Sequence, residues 1–210
     1  MPNWCRNTLW VNHENKDRLT ELRVAVAGSE LCNFVIPEPD YKTTPVAKTF
    51  PEIEERFANT PEEKEKARAN EPTIREDSWW DWRVQNWGTK WDIDMTGEDI
   101  HTNNDGSFSI SFDSAWSPPI GVFKELIEMG FQISAEWYES GMCFGGVLTN
   151  DGHHEFSIPD GKTATAIFNK IKKQCKEDKA FDAWVEDWGI YDEYDQLFQE
   201  EQEERKSASN

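Results

Sequence analysis

Long apolar runs are missing from this chain. No stretch approaches the ~20 consecutive apolar residues that a membrane-spanning helix requires, so no membrane span is expected. Cysteine is sparse: Cys5, Cys32, Cys143 and Cys175 lie far apart and form no CxxC pair. Neither a disulfide framework nor a thiolate metal site is signalled. Positive charge is scarce as well, with 22 Lys and Arg against 41 Asp and Glu, a net charge of −19. A field of that sign repels nucleic-acid phosphates and anionic membranes and attracts basic partners. Direct nucleic-acid binding is therefore not expected, although a local basic pocket can still hold an anion. Catalytic signatures are absent too, for no Walker loop, GxGxxG, HExxH or Ser-His-Asp order occurs. Met1-Pro2-Asn3-Trp4-Cys5-Arg6 lacks the charged and apolar regions of a secretory leader. Together with widely spaced thiols, this points to a cytoplasmic setting.

What the chain does have is tryptophan. Five of its eleven tryptophans fall between Trp79 and Trp91. They are interleaved with Asp81, Arg83, Gln85, Asn86, Lys90 and, just beyond, Asp92. Indole fills space and offers one N–H donor, so such density marks a half-polar surface. Two readings follow. One is a grip for a planar, charged ligand; the other is a core closed by a few polar side chains.

Hydrophobic periodicity supplies the fold class. Cys5, Leu9 and Val11 alternate with Arg6, Thr8 and Trp10 as a strand. Leu19, Leu22 and Val26 follow at helical spacing, capped from Asn12–Asn15 and stopped by Gly28. Residues 31–77 are proline-containing and polar, and read as an insertion. Within it, residues 33–39 are expected as a short edge segment and residues 61–69 as a solvated helix. Trp91, Ile93 and Met95 alternate with Asp92 and Asp94, predicting a strand that ends at Gly97. Asn103-Asn104-Asp105-Gly106 is a hairpin turn leading to Phe108, Ile110 and Phe112 on a half-buried strand. Ser117 is expected to cap the next helix, with Pro118 in its first position. Val122, Phe123, Leu126 and Ile127 form that helix's apolar stripe and Gly130 ends it. Phe131, Ile133, Ala135 and Trp137 make another strand, followed by a hairpin over Cys143–Thr149 and His154–Ile158. Gly145-Gly146 reads as a bulge or a close approach. His153 and His154, adjacent on a strand, point to opposite faces, so no metal and no cofactor are expected.

The order β-α-insertion-β-β-α-β predicts an α+β class: a ferredoxin-like split βαβ antiparallel sheet with a hairpin extension and C-terminal acidic helices. The expected division is a ferredoxin-like domain over 1–160, a helical acidic extension over 161–200 and a disordered tail over 201–210. The sheet's second face needs a cover, for which the insertion, the C-terminal helices or a second copy in a homodimer are candidates. From Glu177 to Glu204 twelve acidic residues stand against one lysine. Phe181, Trp184, Val185 and Trp188 give the same region an amphipathic stripe.

Four motifs in order, Met1-Pro2-Asn3-Trp4-Cys5, Asn86-Trp87-Gly88-Thr89-Lys90-Trp91-Asp92, Trp116-Ser117-Pro118-Pro119 and Tyr138-Glu139-Ser140-Gly141, resemble the YubB-like family of phage- and plasmid-borne proteins. The resemblance covers roughly residues 1–149. It implies a ferredoxin-like domain and a mobile-element setting, in which small accessory proteins often act against host defence. The motif residues Asn3, Trp4, Asn86, Trp87, Thr89, Lys90, Asp92, Trp116, Ser117, Tyr138 and Glu139 fall at strand ends and turns, and are the candidate ligand-binding set. Tryptophan faces stack on a planar group, Lys90 meets a phosphate or carboxylate, and Asn and Asp give edge hydrogen bonds. The bland alternative makes Trp87, Trp91 and Trp116 core, and pairs Lys90 with Asp92 or Glu139.

The expected function is a non-enzymatic accessory protein that counters a host defence or regulatory system by binding a small nucleotide-like ligand in a Trp-lined pocket. An acidic nucleic-acid mimic that binds a basic host protein is the alternative. An enzyme acting on a nucleotide signal, with Asp92 or Glu139 as base, is a third.

Overall fold

The computed structural model describes residues 3–41, 60–62, 65, 79–96 and 100–208. The chain divides into two units after Ile133. The polar insertion, including most of the helix expected over 61–69, lies largely outside the described residues.

The first unit carries β1 (Trp4–Asn12), α1 (Lys16–Ala27), α2 (Leu31–Val35), α3 (Trp79–Asn86), β2 (His101–Thr102), β3 (Phe108–Ala115) and α4 (Ile120–Glu128). Antiparallel pairing of β1 with β3 sets Trp4 opposite Ala115 and Val11 opposite Phe108. Cys5, Asn7, Leu9 and Val11 are buried on one face of β1, and Phe108, Ile110 and Phe112 on one face of β3. Asn15 caps α1 by accepting from the Asp17 and Arg18 amides at 2.9 and 3.4 Å. The turn before β3 and the glycine stop of α4 at Gly130, whose φ is +89°, also form where the sequence sets them.

Three local expectations are corrected. The residues from Trp91 to Met95 form no strand. Their alternation does report burial, for Ile93 and Met95 are inside. However, their backbone donors go to side chains: Ile93 N–H to Asp92 Oδ1, Met95 N–H to Ser29 Oγ and Thr96 N–H to Asp94 Oδ1. The edge segment expected over 33–39 instead begins inside helix α2, because Asp92 accepts from its first amides. Finally, Ser117 does not cap α4. Pro119 holds that position without a side-chain bond, and the Ser117 hydroxyl donates to Gly88 O at 2.5 Å.

Strand β4 (Gln132–Glu139) begins two residues before the division, and the second unit carries the rest of it with β5 (Phe144–Thr149), β6 (Gly152–Ser157), α5 (Ala164–Glu177), α6 (Lys179–Asp187) and α7 (Ile190–Ala208). Strands β4, β5 and β6 are consecutive and antiparallel, with Tyr138 opposite Gly145 and Gly145 opposite Phe156. Phe181, Trp184 and Val185 of α6 and Ile171 and Cys175 of α5 pack with Tyr138 and Phe156, so C-terminal helices cover this face. The pairing runs through Gly145-Gly146 without a bulge, and close packing is the reason for both glycines. A Cβ on Gly145 would strike Trp137 O and the Trp184 ring, and one on Gly146 would strike His154 O and the Trp137 ring. The tail expected to be disordered from 201 is helical as far as Ala208. Glu201 accepts from the Thr165 amide and hydroxyl at 2.8 and 3.0 Å, Gln202 donates to the same hydroxyl, and Arg205 pairs with Glu201. Those bonds tie the last helix to the start of α5.

The element order from β1 through α1, β2, β3 and α4 to β4 is the split βαβ order of an α+β, ferredoxin-like fold.

Candidate functional site

Most of the polar content of the tryptophan-rich stretch turns out to be carpentry. Trp87 is fully buried and its Nε1–H donates to Ile36 O at 2.9 Å. Gly88 has φ +94°, and a Cβ there would press on Pro118 O and Ile120 N. Gly121 donates its amide to Trp87 O at 3.0 Å, and a Cβ on Gly121 would collide with Asn86 O. Thr89 is buried and its hydroxyl bonds both the N–H and the C=O of Ala115 at 3.1 Å. With Ser117 held on Gly88 O, the Asn86–Asp92 and Trp116–Pro119 motifs lock two backbone turns together. Asn86 itself bonds Trp82 O within α3, and Asp92 caps α2.

Helix α3 adds a second layer. Arg83 lies one turn beyond Trp79, so its guanidinium sits over that indole at 5.1 Å and over Trp87 at 4.8 Å. It also forms a two-pronged ion pair with Glu38 at 2.5 and 2.7 Å, while Tyr41 OH donates to Glu38 Oε1 at 2.6 Å. Burial pushes the Glu38 carboxyl up, but the Arg83 and Tyr41 hydrogen bonds and the Arg83 charge outweigh it, leaving it below its ordinary value. The Tyr41 phenol is raised, by burial first and then by Glu38.

What this framework leaves on the surface is aromatic. Trp4 is 49% exposed, Trp116 41%, Trp80 38% and Trp91 36%. Trp4 and Trp91 approach to 6.0 Å between centroids, and Trp80 meets Trp116 edge-on at 6.3 Å. Lys90 sits among them, its Nζ 4.5 Å from the Trp91 ring centroid, 5.3 Å from Trp116 and 5.9 Å from Trp79. These distances are those of cation–π contacts. Lys90 pairs with neither Asp92 nor Glu139; among the described residues it makes no ion pair. The carbonyl of Asn3, an exposed residue, accepts the Trp116 amide at 2.9 Å, which places Trp116 beside Trp4 at the adjoining strand ends. Trp116 adopts φ +67°, a region that bulky residues seldom enter.

Of the candidate set, then, Trp4, Lys90 and Trp116 converge on one exposed surface with Asn3 tied to it through its carbonyl, whereas Asn86, Trp87, Thr89, Asp92 and Ser117 hold it in place. Tyr138 and Glu139 belong to the second unit. Tyr138 is buried against Trp184 and Trp188, its phenol raised chiefly by burial. Glu139 is buried too, and its two carboxylate oxygens accept from the Gly141 and Met142 amides at 2.8 and 2.7 Å, which shapes the turn before β5. Asp92 and Glu139, the two carboxylates considered as a base, therefore both spend their oxygens on backbone donors.

Motif reading passed over Trp79, Trp80, Trp91 and Arg83 as site residues. The i, i+4 spacing of Trp79 and Arg83 was the available signal, once that stretch is taken as a helix.

Among the described residues no helix is long and apolar enough to cross a membrane, and no group of three or more His, Cys, Asp or Glu is placed to hold a metal.

Residues 90–185 match the family model described as ferredoxin-like domain in Api92-like protein. No curated protein matches the sequence. A crystal structure of a protein api92 from Yersinia pseudotuberculosis is 10% identical, with a TM-score of 0.37 over 77% of this chain and 99% of that one. Over residues 90–185 the chain is thus similar to the ferredoxin-like domain of Api92-like proteins.

Proposed function

We propose that this is a non-enzymatic binding protein that takes a small, planar, anionic ligand of nucleotide type on the exposed indoles around Lys90. One observation carries the reading: the Lys90 ammonium stands within 6 Å of three indole centroids, on a surface where four tryptophans remain exposed. Apolar rings of that size are ordinarily buried, and stacking on a base contributes about 1–3 kcal/mol per ring. The left-handed backbone of Trp116 supports the reading, because strained residues cluster at binding sites. The ligand would lie on an open platform, since Trp87, expected to line a pocket, is core. The resemblance to the YubB-like family supports a phage or plasmid origin and an accessory role against a host defence or regulatory system.

The test is tryptophan fluorescence of the full chain titrated with a panel of mononucleotides, dinucleotides and cyclic nucleotides. Saturable quenching, weakened about tenfold or more in Trp91→Ala by loss of one stacking face, is expected. No saturable change with any member of the panel overturns the reading.

A second reading, an acidic mimic that binds a basic host protein, draws on the C-terminal helices. Their aromatic stripe is packed inward while Glu186, Asp187, Asp192, Glu193 and Glu200 remain exposed. Neutralising Asp192, Glu193 and Glu200 to their amides leaves that packing in place, and should abolish salt-sensitive capture of a basic partner. Unaltered capture refutes it.

A further inference from the structure

We infer that Lys90 fills, from within the chain, an aromatic cage that would otherwise accept a ligand cation. The surface consequently admits planar ligands with a negative charge and turns away cationic ones. Sites that recognise quaternary ammonium groups surround the cation with indole or phenol faces within about 6 Å of the ring centroid. Here the faces of Trp91, Trp116 and Trp79 meet that distance, and the ammonium between them is the chain's own. An exposed lysine ordinarily relaxes toward a carboxylate or into water. Lys90 instead sits half-buried among rings, with no ion pair among the described residues.

Its backbone has little latitude. Thr89, immediately before it, is fastened to both polar groups of Ala115, and Asp92, two residues on, is fastened to α2. The ammonium is thus delivered to the cage by a pinned backbone, with only the flexible four-carbon stem free to swing. A cationic ligand must displace an identical charge held on a tether and gains nothing electrostatically. A ligand anion meets the ammonium in place, while its planar part covers Trp91 or Trp116. The charge preference rests on the stacking surface proposed above; the cage stands on the geometry alone.

Removing the tethered cation should therefore create a site for a free one. The experiment follows the indole N–H resonances of the full chain while tetramethylammonium chloride is added, against sodium chloride at equal ionic strength. In the unaltered protein the Trp91 and Trp116 signals should not shift beyond the salt control. In Lys90→Ala they should shift saturably, with an affinity at least about tenfold above that of the unaltered protein, as expected for a vacated cation–π cage. Lys90→Ser empties the cage by the same route and serves should the alanine variant not fold. Lys90→Met, which refills the space with an uncharged side chain, should show no saturable shift. Equal binding by the unaltered protein and Lys90→Ala overturns the inference, as does no binding by a folded emptied variant. A parallel titration with AMP separates the two readings. If neither AMP nor any other member of the nucleotide panel binds but the emptied cage takes the ammonium, the nucleotide reading fails and the cage remains.

Discussion

Asp92 closes the start of a helix sixty residues before it in sequence. Its Oδ1 accepts from the Cys32 amide and its Oδ2 from the Asn33 amide, each at 2.8 Å, while Oδ1 also accepts from Ile93. A charged acceptor at a helix N-terminus satisfies donors that have no partner inside the helix. The same carboxylate stands beside the buried Cys32 thiol, whose pKa is raised by burial first and by Asp92 next.

Replacing Asp92 by alanine removes acceptors from three amides and should cost about 1–3 kcal/mol of stability. Asp92→Asn keeps one oxygen and should fall between the two. Urea midpoints decide the matter. An Asp92→Ala protein as stable as the original would show that the capping bonds contribute nothing.

Thr89 gives a sharper case, because its hydroxyl serves both the N–H and the C=O of Ala115 in a buried setting. Valine has nearly the same shape and no hydroxyl. Thr89→Val should lose about 1–3 kcal/mol through the unsatisfied backbone groups, and Thr89→Ser should recover most of it. Thermal unfolding of the three proteins measures this, and a Thr89→Val protein without loss contradicts it.

Glu38 and Arg83 predict a pH dependence. The folded Glu38 carboxyl lies below its ordinary value of 4.5. Its contribution is therefore present above that value and is lost as pH falls through the lowered one. The coupling between Glu38→Gln and Arg83→Met, read from a double-mutant cycle, should be measurable near pH 7 and disappear as acid protonates the Glu38 carboxylate. A coupling that persists unchanged at the acid end would contradict the assignment.

Gly145 faces both Trp137 O and the Trp184 ring across an unbroken ladder. Gly145→Ala should destabilise the second unit by about 1–3 kcal/mol or more through overpacking. Trp184→Phe beside it removes part of the obstruction, and also the indole that donates to Trp137 O at 3.1 Å. Near-UV circular dichroism of Gly145→Ala, alone and with Trp184→Phe, reports the repacking. An unperturbed single variant would mean the ring has room to move.

Strands β1, β3 and β4 were legible because alternation of apolar and polar residues is a direct imprint of one buried face. The same alternation misled at Trp91–Met95. It records which side chains are inside and says nothing of where the backbone donors go, and there Asp92, Ser29 and Asp94 compete for them. Helix α2 escaped notice for the matching reason, since its cap comes from far along the chain. The helical end of α7 depends likewise on Thr165, an anchor in another element.

Amino-acid order alone was enough for the α+β class, for strands β1, β3 and β4 with helices α1 and α4, and for the turns at Asn103–Gly106 and Gly130. Those follow from local pattern and from glycine's freedom of backbone. The fate of each tryptophan was settled by long-range packing. Trp87 went into the core because Gly88 and Gly121 let two backbones close over it, while Trp91 and Trp116 stayed outside around Lys90. Indole is equally suited to either place, so the choice belongs to the packing of distant segments and not to the residue.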